Sequence, residues 1–435
     1  MLYQVNPGGQ LSGTIKVPGD KSVSHRAIML GSLAEGTTRI RGFLEGEDAL
    51  STMNAFRLMG VHIDGPENGQ VIVHGVGMHG LKSAGVPIDL GNSGTSMRLL
   101  AGLLSAQHFA SCLVGDSSLM KRPMLRVADP LRLMGAMIHT GEKGYPPLDI
   151  QPSEGLQGIE YELPVASAQV KSSLLLAGLY ASGETVVIEP AVTRDHTERM
   201  LKAFGYSLNV SGSRISLAGG GHLKACNIEI PADISSAAFF MVGASIAKGS
   251  DIILTDVGIN PTRTGIIDVL RLMGADLSIL NQREAGGEPV ADIRVRSAKL
   301  HGVKIPANLV PLAIDEFPAL FIAAANACGQ TVLTGAEELR VKESDRIQVM
   351  ADGLSILGVK NQPMPDGIII EGGGYHGGVI DSHGDHRIAM SFTMAALCAS
   401  EPLSILDCAN VGTSFPGFAE LAFQAGVQLQ VGDSA

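Results

Sequence analysis

Five short segments of the sequence combine cationic side chains with small or polar residues. They read GDKSVSHR from Gly19, GNSGTSMR from Gly91, KRP from Lys121, RVKESDR from Arg340 and DHR from Asp385. Arginine offers a planar fork of N–H donors to phosphate or carboxylate, and lysine offers a point charge. A single segment of this kind is typical of a solvent-exposed charge. Together, the five segments predict a clamp for highly anionic ligands.

Two carboxylates are candidates for proton transfer. Asp315 precedes an apolar stretch, so a helix N-cap is the competing explanation for it. Glu343 lies between Lys342 and Arg346, where a structural ion pair is the alternative. A carboxylate in apolar surroundings has a raised pKa that suits proton transfer. For both residues the local sequence leaves the two explanations open.

The elements that must position these residues form a weak internal repeat, in which an apolar helical stretch ends in a glycine and a short strand follows. The glycines of its six copies are Gly60, Gly135, Gly205, Gly274, Gly358 and Gly426. A glycine there suits a left-handed helix C-cap, because it has no Cβ. An earlier helix with a polar start precedes each copy. The pattern predicts an α/β protein of two domains with three repeats each.

The earlier helix of each repeat is too apolar for a one-sided surface stripe, which predicts that it lies at the centre of its domain. If these helices run parallel, their N-termini converge and present free N–H groups and partial positive charge to an anion. Helix capping is the competing explanation for Ser, Thr, Asn and Asp at these starts. Capping does not explain the cationic residues that also occur there, which are Lys21, Arg26, Arg98, Lys171 and Arg387.

Composition argues against several classes of protein. The 435 residues carry a net charge of −11 with 45% hydrophobic and 17% charged side chains, which indicates a globular chain rather than a disordered one or a nucleic-acid binder. The five cysteines are widely spaced without a CxxC pair, which predicts reduced thiols in the cytoplasm. The N-terminus lacks a secretory signal, and no apolar run is long enough to predict a membrane span.

Two patterns suggest a cofactor or a metal, and both are rejected. Gly75–Gly80 matches GxGxxG, but no helix follows it to receive a pyrophosphate. The run His383-Gly-Asp385-His386 could suggest a metal site, but no further ligand follows at a suitable spacing. The sequence therefore predicts no metal and no cofactor.

The segments PGDKSVSHR, LGNSGTSMR, KRPM, RVKESDR and GDHRIAM have an order and spacing that resembles the 5-enolpyruvylshikimate-3-phosphate (EPSP) synthase family, over essentially the whole chain. The resemblance implies the enolpyruvyl transferase fold, with two inside-out α/β barrel domains, each of three βαββαβ repeats. It implies crossovers near Asp20 and Pro231, so that residues 21–230 form one domain and residues 1–20 with 231–435 form the other. The active site would lie in the cleft between the domains.

The resemblance also implies a role for each motif residue. Asp315 would take the proton of the substrate 5-hydroxyl, Glu343 would act at the enol methylene, and Lys21 would be the third catalytic residue. The residues that would bind shikimate-3-phosphate are Lys21, Ser22, Arg26, Ser167, Ala168, Gln169, Arg194, Asp315 and Lys342. The residues that would bind phosphoenolpyruvate are Lys21, Gly94, Arg122, Gln169, Arg346 and Arg387.

The implied reaction transfers the enolpyruvyl group of phosphoenolpyruvate to shikimate-3-phosphate through a tetrahedral intermediate, with release of phosphate, in chorismate and aromatic amino acid biosynthesis. Two anionic substrates must be held together, which explains the many cations. Phosphate leaves from carbon, so no Mg²⁺ or other cofactor is implied. The resemblance implies a cytoplasmic monomer whose partners are these two small molecules, with no nucleic acid and no membrane.

Some departures from the better-known members resemble the second, glyphosate-tolerant sequence class. They are Ala168, Leu99 and the absence of a lysine from the segment around Ser414. Gly94, in contrast, is the residue associated with inhibitor access, so inhibitor sensitivity stays open.

Two rival functions compete with this one. The sister family transfers enolpyruvate to UDP-N-acetylglucosamine and carries a loop cysteine where this chain has Ser117. The rival from another class is a non-catalytic anion-binding protein, against which the retained catalytic set argues. Turnover with shikimate-3-phosphate distinguishes the enzyme from both.

Overall fold

Helices and short strands alternate along the chain, and the computed structural model describes residues 1–432. The helices are α1 Lys21–Leu33, α2 Glu47–Leu58, α3 Gly94–Leu104, α4 Leu125–Leu133, α5 Ala168–Gly178, α6 His196–Ala203, α7 Ile234–Ile246, α8 Gly265–Leu272, α9 Phe317–Asn326, α10 Arg346–Ile356, α11 His386–Ala395 and α12 Phe418–Ala425. The strands are β1 Leu2–Val5, β2 Ser12–Ile15, β3 Glu35–Arg41, β4 His62–Glu67, β5 Gln70–Val76, β6 Ile88–Asp89, β7 Ser111–Val114, β8 Ile138–Thr140, β9 Leu148–Ile150, β10 Glu160–Glu162, β11 Glu184–Ile188, β12 Asn209–Ser211, β13 Arg214–Ala218, β14 Asn227–Glu229, β15 Asp251–Gly258, β16 Asp276–Ala285, β17 Glu288–Arg296, β18 Gln330–Leu333, β19 Asn361–Met364, β20 Gly367–Glu371, β21 Gly378–Asp381, β22 Leu403–Leu406 and β23 Leu429–Gly432.

The chain divides into two compact units. The middle unit comprises Gly19–Ile230 and Ala285–Glu288. The terminal unit comprises Met1–Pro18, Pro231–Glu284 and the chain from Pro289 onwards. The N-terminal segment belongs to the terminal unit because β1 pairs with β22 and β23, and β2 pairs with β15.

The middle unit contains three four-stranded sheets with one common pattern, in the orders β14-β3-β5-β4, β6-β7-β9-β8 and β10-β11-β13-β12. In each sheet the first two strands are parallel and the other pairs are antiparallel. A parallel pair needs a crossover helix, whereas an antiparallel pair needs only a turn. The elements therefore run βαβαββ, as in β6–α3–β7–α4–β8–β9. The two helices and four strands of the predicted repeat are present, but their order is βαβαββ rather than βαββαβ, because the antiparallel hairpin follows both crossover helices.

The terminal unit repeats this arrangement in sheets of the orders β21-β22-β1-β23, β16-β17-β15-β2 and β18-β20-β19. In the first, β21 and β22 are parallel and the remaining pairs are antiparallel. The third sheet is extended by a parallel bridge between Lys304 and Val332. Each unit thus contains three sheets around its own apolar core.

The first helix of each repeat is buried, as its composition predicts. In α1 every residue from Val23 onwards is buried, and α7 is buried from Ile234 to Ser245. Helices α3 and α5 pack together in the middle unit, and α9 packs against α7 and α11 in the terminal unit. None of the helices within residues 1–432 combines the length and apolarity that a membrane crossing requires.

The six repeat glycines all have positive φ angles, between 80° and 119°. This is the left-handed region that favours glycine. Each of these glycines follows the last turn of the second helix of a repeat, so the predicted C-caps are confirmed. The second helices are α2, α4, α6, α8, α10 and α12.

Candidate functional site

The open end of α1 carries two of the predicted site residues. Asp20 caps the helix by accepting a hydrogen bond from the N–H of Val23 at 2.9 Å. Lys21 and Ser22 follow and are half-buried, and Lys21 Nζ lies 3.0 Å from Asp48 Oδ2 in α2. Backbone N–H groups and the helix dipole add to the lysine charge at such an end. The arrangement can therefore attract an anion.

Arg26 lies one turn deeper in α1 and is held by three hydrogen bonds. Its Nε donates to Thr197 Oγ1 at 2.7 Å, its NH2 to Ser172 Oγ at 2.8 Å, and its NH1 to the carbonyl of Ser22 at 2.9 Å. Burial lowers the pKa of Arg26 to about 10, and Glu198 is the main charge that opposes this change. The guanidinium is therefore charged at neutral pH and fixed in orientation.

Lys171 is committed to a buried ion cluster, although the sequence marks it as a cation that capping leaves unexplained. Its Nζ lies 3.0 Å from Glu189 and 2.7 Å from Glu198, and all three side chains are at most 4% exposed. Burial raises the pKa of Glu198, and the charge of Lys171 opposes this shift. A buried cation requires such partners. The charge of Lys171 is therefore neutralised inside the middle unit.

Arg194 is half-buried in the loop before α6. Its charge contributes to lowering the pKa of Arg26, although burial is the largest cause. The two cations therefore interact electrostatically.

Gly94 opens α3 beside two arginines. A Cβ at Gly94 would lie 3.0 Å from Arg122 NH1 and 3.2 Å from Arg98 NH1. Arg122 is 7% exposed, and its NH2 donates to Asn92 Oδ1 at 2.7 Å. The missing side chain leaves the space that the two guanidinium groups occupy. The sequence assigns no substrate role to Arg98 or Asn92, although both lie in the segment GNSGTSMR.

The start of α5 adds polar groups to the same unit. Ser167 caps the helix, where its hydroxyl accepts a first-turn N–H at 3.4 Å. Ala168 begins the helix and offers only backbone polar groups to a ligand. Gln169 accepts a bond from Arg98 at 2.5 Å and donates one to Thr95 at 2.9 Å. The helix starts of α3 and α5 therefore meet, as the parallel arrangement predicts.

A buried chain of hydrogen bonds links the starts of α1 and α3 through α2, and the sequence did not predict it. His25 Nδ1 lies 2.7 Å from Thr52 Oγ1, Thr52 Oγ1 lies 2.6 Å from Ser96 Oγ, and Ser96 donates to Ser93 Oγ at 2.7 Å. Burial, with a smaller contribution from nearby cations, lowers the pKa of His25 to about 3. The sequence feature that could have predicted this chain of hydrogen bonds is the presence of polar residues within apolar helices.

Asp315 does not cap a helix. The N-cap residue of α9 is Glu316, without a side-chain cap bond. Asp315 Oδ1 instead lies 3.3 Å from Lys342 Nζ and 3.4 Å from Arg346 NH1, and the Asp315 carbonyl accepts a bond from Arg387 NH1 at 3.0 Å. The surroundings of Asp315 are therefore cationic rather than apolar.

Arg346 is the centre of an ion cluster in the terminal unit and is 1% exposed. Its Nε lies 2.8 Å from Asp385 Oδ2, and its NH2 lies 2.6 Å from Glu343 Oε2. Burial by itself would lower the pKa of Arg346, but Asp385, Glu343 and Asp315 together raise it above the ordinary arginine value. Glu343 makes the ion pair that the sequence offered as an alternative. Its side chain is still 19% exposed, so it can also contact a substrate.

Asp385 is committed to Arg346 and to the cap of α11. Its Oδ2 accepts a bond from Ser344 at 3.0 Å, and its Oδ1 accepts one from the backbone N–H of Arg387 at 2.9 Å. Burial opposes ionisation, but the charge of Arg346 outweighs it, so the pKa of Asp385 lies below its ordinary value. These oxygens therefore hold the Arg346 guanidinium, the Ser344 hydroxyl and the start of α11.

Each unit thus brings a different chemistry together. The middle unit presents cations and helix N-termini, which can bind phosphate and carboxylate oxygens. The terminal unit holds two partly exposed carboxylates, those of Asp315 and Glu343, against fixed cations. Such a pair can take up and release protons at a bound substrate.

Comparison with known sequences identifies close relatives of full length. A family model described as EPSP synthase (3-phosphoshikimate 1-carboxyvinyltransferase) matches residues 5–421. A 3-phosphoshikimate 1-carboxyvinyltransferase of Alkalilimnicola ehrlichii is 66% identical over 435 residues, which cover 100% of this chain and 98% of the relative. One of Methylococcus capsulatus is 63% identical over 431 residues and covers 99% of each chain.

Solved structures agree with this result. An EPSP synthase from Acinetobacter baumannii is 62% identical and superposes with a TM-score of 0.90 over 99% of this chain and 100% of its own. The enolpyruvyl transferase NikO from Streptomyces tendae is 17% identical, with a TM-score of 0.80 over 100% of this chain and 99% of its own, so it is similar in fold alone. The two structures confirm the predicted enolpyruvyl transferase fold.

Proposed function

The chain belongs to the EPSP synthase family, and we propose that it transfers the enolpyruvyl group of phosphoenolpyruvate to the 5-hydroxyl of shikimate-3-phosphate. The reaction releases phosphate and serves chorismate and aromatic amino acid biosynthesis. The observation that carries the proposal is the position of Asp315, whose carboxylate lies against Lys342 and Arg346 instead of capping α9.

The substrates are bound by the predicted residues of both units. For shikimate-3-phosphate these are Lys21, Ser22, Arg26, Ser167, Ala168, Gln169, Arg194, Asp315 and Lys342. For phosphoenolpyruvate they are Lys21, Gly94, Arg122, Gln169, Arg346 and Arg387. The fixed orientations of Arg26 and Arg346 support these assignments, because a rigid guanidinium loses little freedom on binding. The division into one domain of residues 21–230 and another of residues 1–20 with 231–435 stays a prediction. The cleft that the two domains would share is also a prediction.

The reaction is an addition followed by an elimination. C3 of phosphoenolpyruvate gains a proton, and the 5-hydroxyl oxygen loses its proton as it bonds to C2. C3 of the tetrahedral intermediate then loses a proton while the C2–O bond to phosphate breaks, which gives the enol ether and inorganic phosphate. Asp315 takes the hydroxyl proton, Glu343 exchanges the proton at C3, and Lys21 is the third catalytic residue and contacts both substrates.

The test is phosphate release by purified protein supplied with phosphoenolpyruvate and one of two acceptors. Release with shikimate-3-phosphate, but not with UDP-N-acetylglucosamine, supports the proposal. Release with the sugar nucleotide alone would assign the chain to the sister transferases. Binding of both ligands without turnover would support the non-catalytic alternative.

The role of Asp315 is tested by Asp315→Asn, which keeps the shape of the side chain. A positioned base contributes about 10²–10⁴-fold to the rate, so kcat should fall by that factor while the thermal midpoint changes little. Asp366→Asn is a control, because Asp366 accepts a backbone N–H of Gly335 in the same unit, outside the proposed site. A loss of stability without a loss of kcat would make Asp315 a structural residue.

We further propose that the chain belongs to the glyphosate-tolerant sequence class. Ala168, Leu99 and the lysine-free segment around Ser414 support this assignment. Measuring how glyphosate competes with phosphoenolpyruvate tests it. Inhibition at concentrations near the KM of phosphoenolpyruvate would contradict it.

The proposal includes a cytoplasmic monomer that binds neither nucleic acid nor membrane. All five cysteines are unpaired thiols, which suits a reducing compartment, and the net charge of −11 disfavours nucleic acid. Sedimentation analysis of the purified protein tests the oligomeric state. A concentration-independent mass of two chains would contradict the monomer.

A further inference from the structure

Three metal-binding side chains come together on the sheet β14-β3-β5-β4, away from every residue assigned to the reaction. Strands β4 and β5 are antiparallel, with His62 directly opposite His74. Asp64 is two residues beyond His62 and therefore lies on the same face. His62 Nε2 lies 3.1 Å from Asp64 Oδ1, and His74 Nε2 lies 3.0 Å from Asp64 Oδ2. One ligand atom from each residue lies within 4.8 Å of the other two.

We propose that His62, Asp64 and His74 bind one divalent transition-metal ion of the class of Zn²⁺. Imidazole and carboxylate are ligands that such ions favour, and three protein ligands with a water molecule in the fourth position form an open tetrahedral site. Tetrahedral bonds of about 2.0–2.1 Å place the ligand atoms about 3.3 Å apart. The His62–Asp64 and His74–Asp64 nitrogen–oxygen separations are close to that distance, each to a different carboxylate oxygen, and one ligand atom from each residue lies within 4.8 Å of the other two.

The backbone on either side of Asp64 is held by a neighbouring arginine. Arg57 NH2 donates to the carbonyls of Ile63 at 2.9 Å and Gly65 at 2.5 Å, which lie on either side of Asp64. The strand that carries Asp64 is thereby fixed. The Asp64 carboxylate lies between the two imidazoles, 3.1 Å from His62 Nε2 and 3.0 Å from His74 Nε2, so an ion bound there would contact all three side chains.

The site is open to solvent and lies on the outer face of its sheet. The side chains of His62, Asp64 and His74 are 73%, 51% and 44% exposed, so an ion and its remaining water can reach them. Val71 and Val73, which alternate with His74 along β5, are buried on the inner face against α1. The ion would bind on the face opposite α1, which begins with Lys21. Metal binding is therefore expected to leave the basal transferase activity unchanged.

The experiment is a calorimetric titration of tag-free, chelator-treated protein with Zn²⁺ at neutral pH. A polyhistidine tag must be absent because it binds the same ions. We expect one high-affinity equivalent in the unmodified protein. His62→Asn and His74→Asn should each weaken binding more than about tenfold, since loss of even an outer partner of a metal ligand costs 10–100-fold.

His108→Asn is the matched control. His108 is an exposed histidine of the same unit whose Nδ1 lies 3.0 Å from the backbone carbonyl of Ser153, and it belongs to none of the candidate metal clusters within residues 1–432. The His108→Asn variant should bind Zn²⁺ as the unmodified protein does. Ligand binding to the folded state also raises the thermal midpoint, and this rise should disappear in the double variant His62→Asn/His74→Asn. An unchanged isotherm in that variant, or no binding by the unmodified protein, would overturn the proposal.

Discussion

Arg346 and Asp385 form a two-point ion pair inside the terminal unit. Arg346 Nε lies 2.8 Å from Asp385 Oδ2, and Arg346 NH2 lies 3.3 Å from Asp385 Oδ1. Both side chains are at most 1% exposed. The pair fixes the plane of the guanidinium, which in turn contacts both Glu343 and Asp315. The orientation of the proposed acid and base therefore depends on a carboxylate that need not contact a substrate.

Replacing Asp385 should disturb both stability and binding. Asp385→Asn removes the charge beside Arg346, and breaking a buried pair in this way costs about 3 kcal/mol of unfolding free energy. The KM for phosphoenolpyruvate should rise, because the guanidinium loses its fixed plane. Denaturant unfolding and steady-state kinetics measure the two effects. Asp129→Asn is the control, since the exposed Asp129–Arg132 pair should contribute less than about 1 kcal/mol. Equal stability losses in both variants would contradict the expectation.

A methyl group at Gly94 should act on its arginine neighbours rather than on the fold. In Gly94→Ala the added Cβ would lie 3.0 Å from Arg122 NH1, so the guanidinium must shift. We expect a higher KM for phosphoenolpyruvate with an unchanged thermal midpoint, because φ at Gly94 is not positive and alanine is tolerated there. Gly432→Ala is a control, since its nearest atom would be Leu2 Cδ2 at 3.9 Å. An unchanged KM would remove Gly94 and Arg122 from the binding site.

The hydroxyl of Thr52 should stabilise the middle unit and position its helix starts. Thr52→Val leaves His25 Nδ1 with only a 3.4 Å contact to Ser96, and a buried polar group without a good partner costs about 1–3 kcal/mol. The KM for phosphoenolpyruvate should also rise in Thr52→Val, because α3 begins beside this chain of hydrogen bonds. Thr185→Val is the control: Thr185 Oγ1 is buried without a hydrogen-bond partner within residues 1–432, so its loss should be neutral or stabilising. Similar losses in both variants would show that only packing is involved.

His25 should make the protein less stable in acid. Burial lowers the pKa of His25 in the folded state from 6.5 to about 3. Below pH 6.5 the imidazole of His25 is therefore protonated in the unfolded chain but neutral in the folded chain. As the pH is lowered, the unfolding free energy consequently falls by up to about 1.4 kcal/mol per pH unit. His25→Gln should show a shallower loss between pH 6.5 and 4 by denaturant titration, whereas His108→Gln should follow the unmodified protein. Parallel curves for all three proteins would refute the role of His25.

The local features of the chain could be predicted from the sequence. The six glycines of the repeat take the left-handed conformation, because a glycine after an apolar helical stretch favours that cap whatever surrounds it. The buried first helices follow from their composition, and the cationic segments lie at or near helix starts. These properties depend on neighbours within a few residues, which the sequence displays directly.

Other assignments depended on which distant residues meet. The sequence offered a helix cap for Asp315 and an available charge for Lys171. Packing of separate elements instead places Asp315 against Lys342 and pairs Lys171 with two glutamates. In both cases the partner lies many residues away in the sequence, or is one of several available partners. The local spacing of residues does not encode which partner is chosen.

The repeat, the helix starts, the cationic segments and, through its motifs, the reaction follow from the order of the amino acids alone. The tertiary structure alone decided which charges are neutralised, which hydroxyl groups link α1 to α3, and that His74 faces His62 and Asp64 across two strands. The reason is physical: propensities and caps act between residues near in sequence, whereas ion pairs, buried hydrogen bonds and cross-strand contacts depend on register and packing.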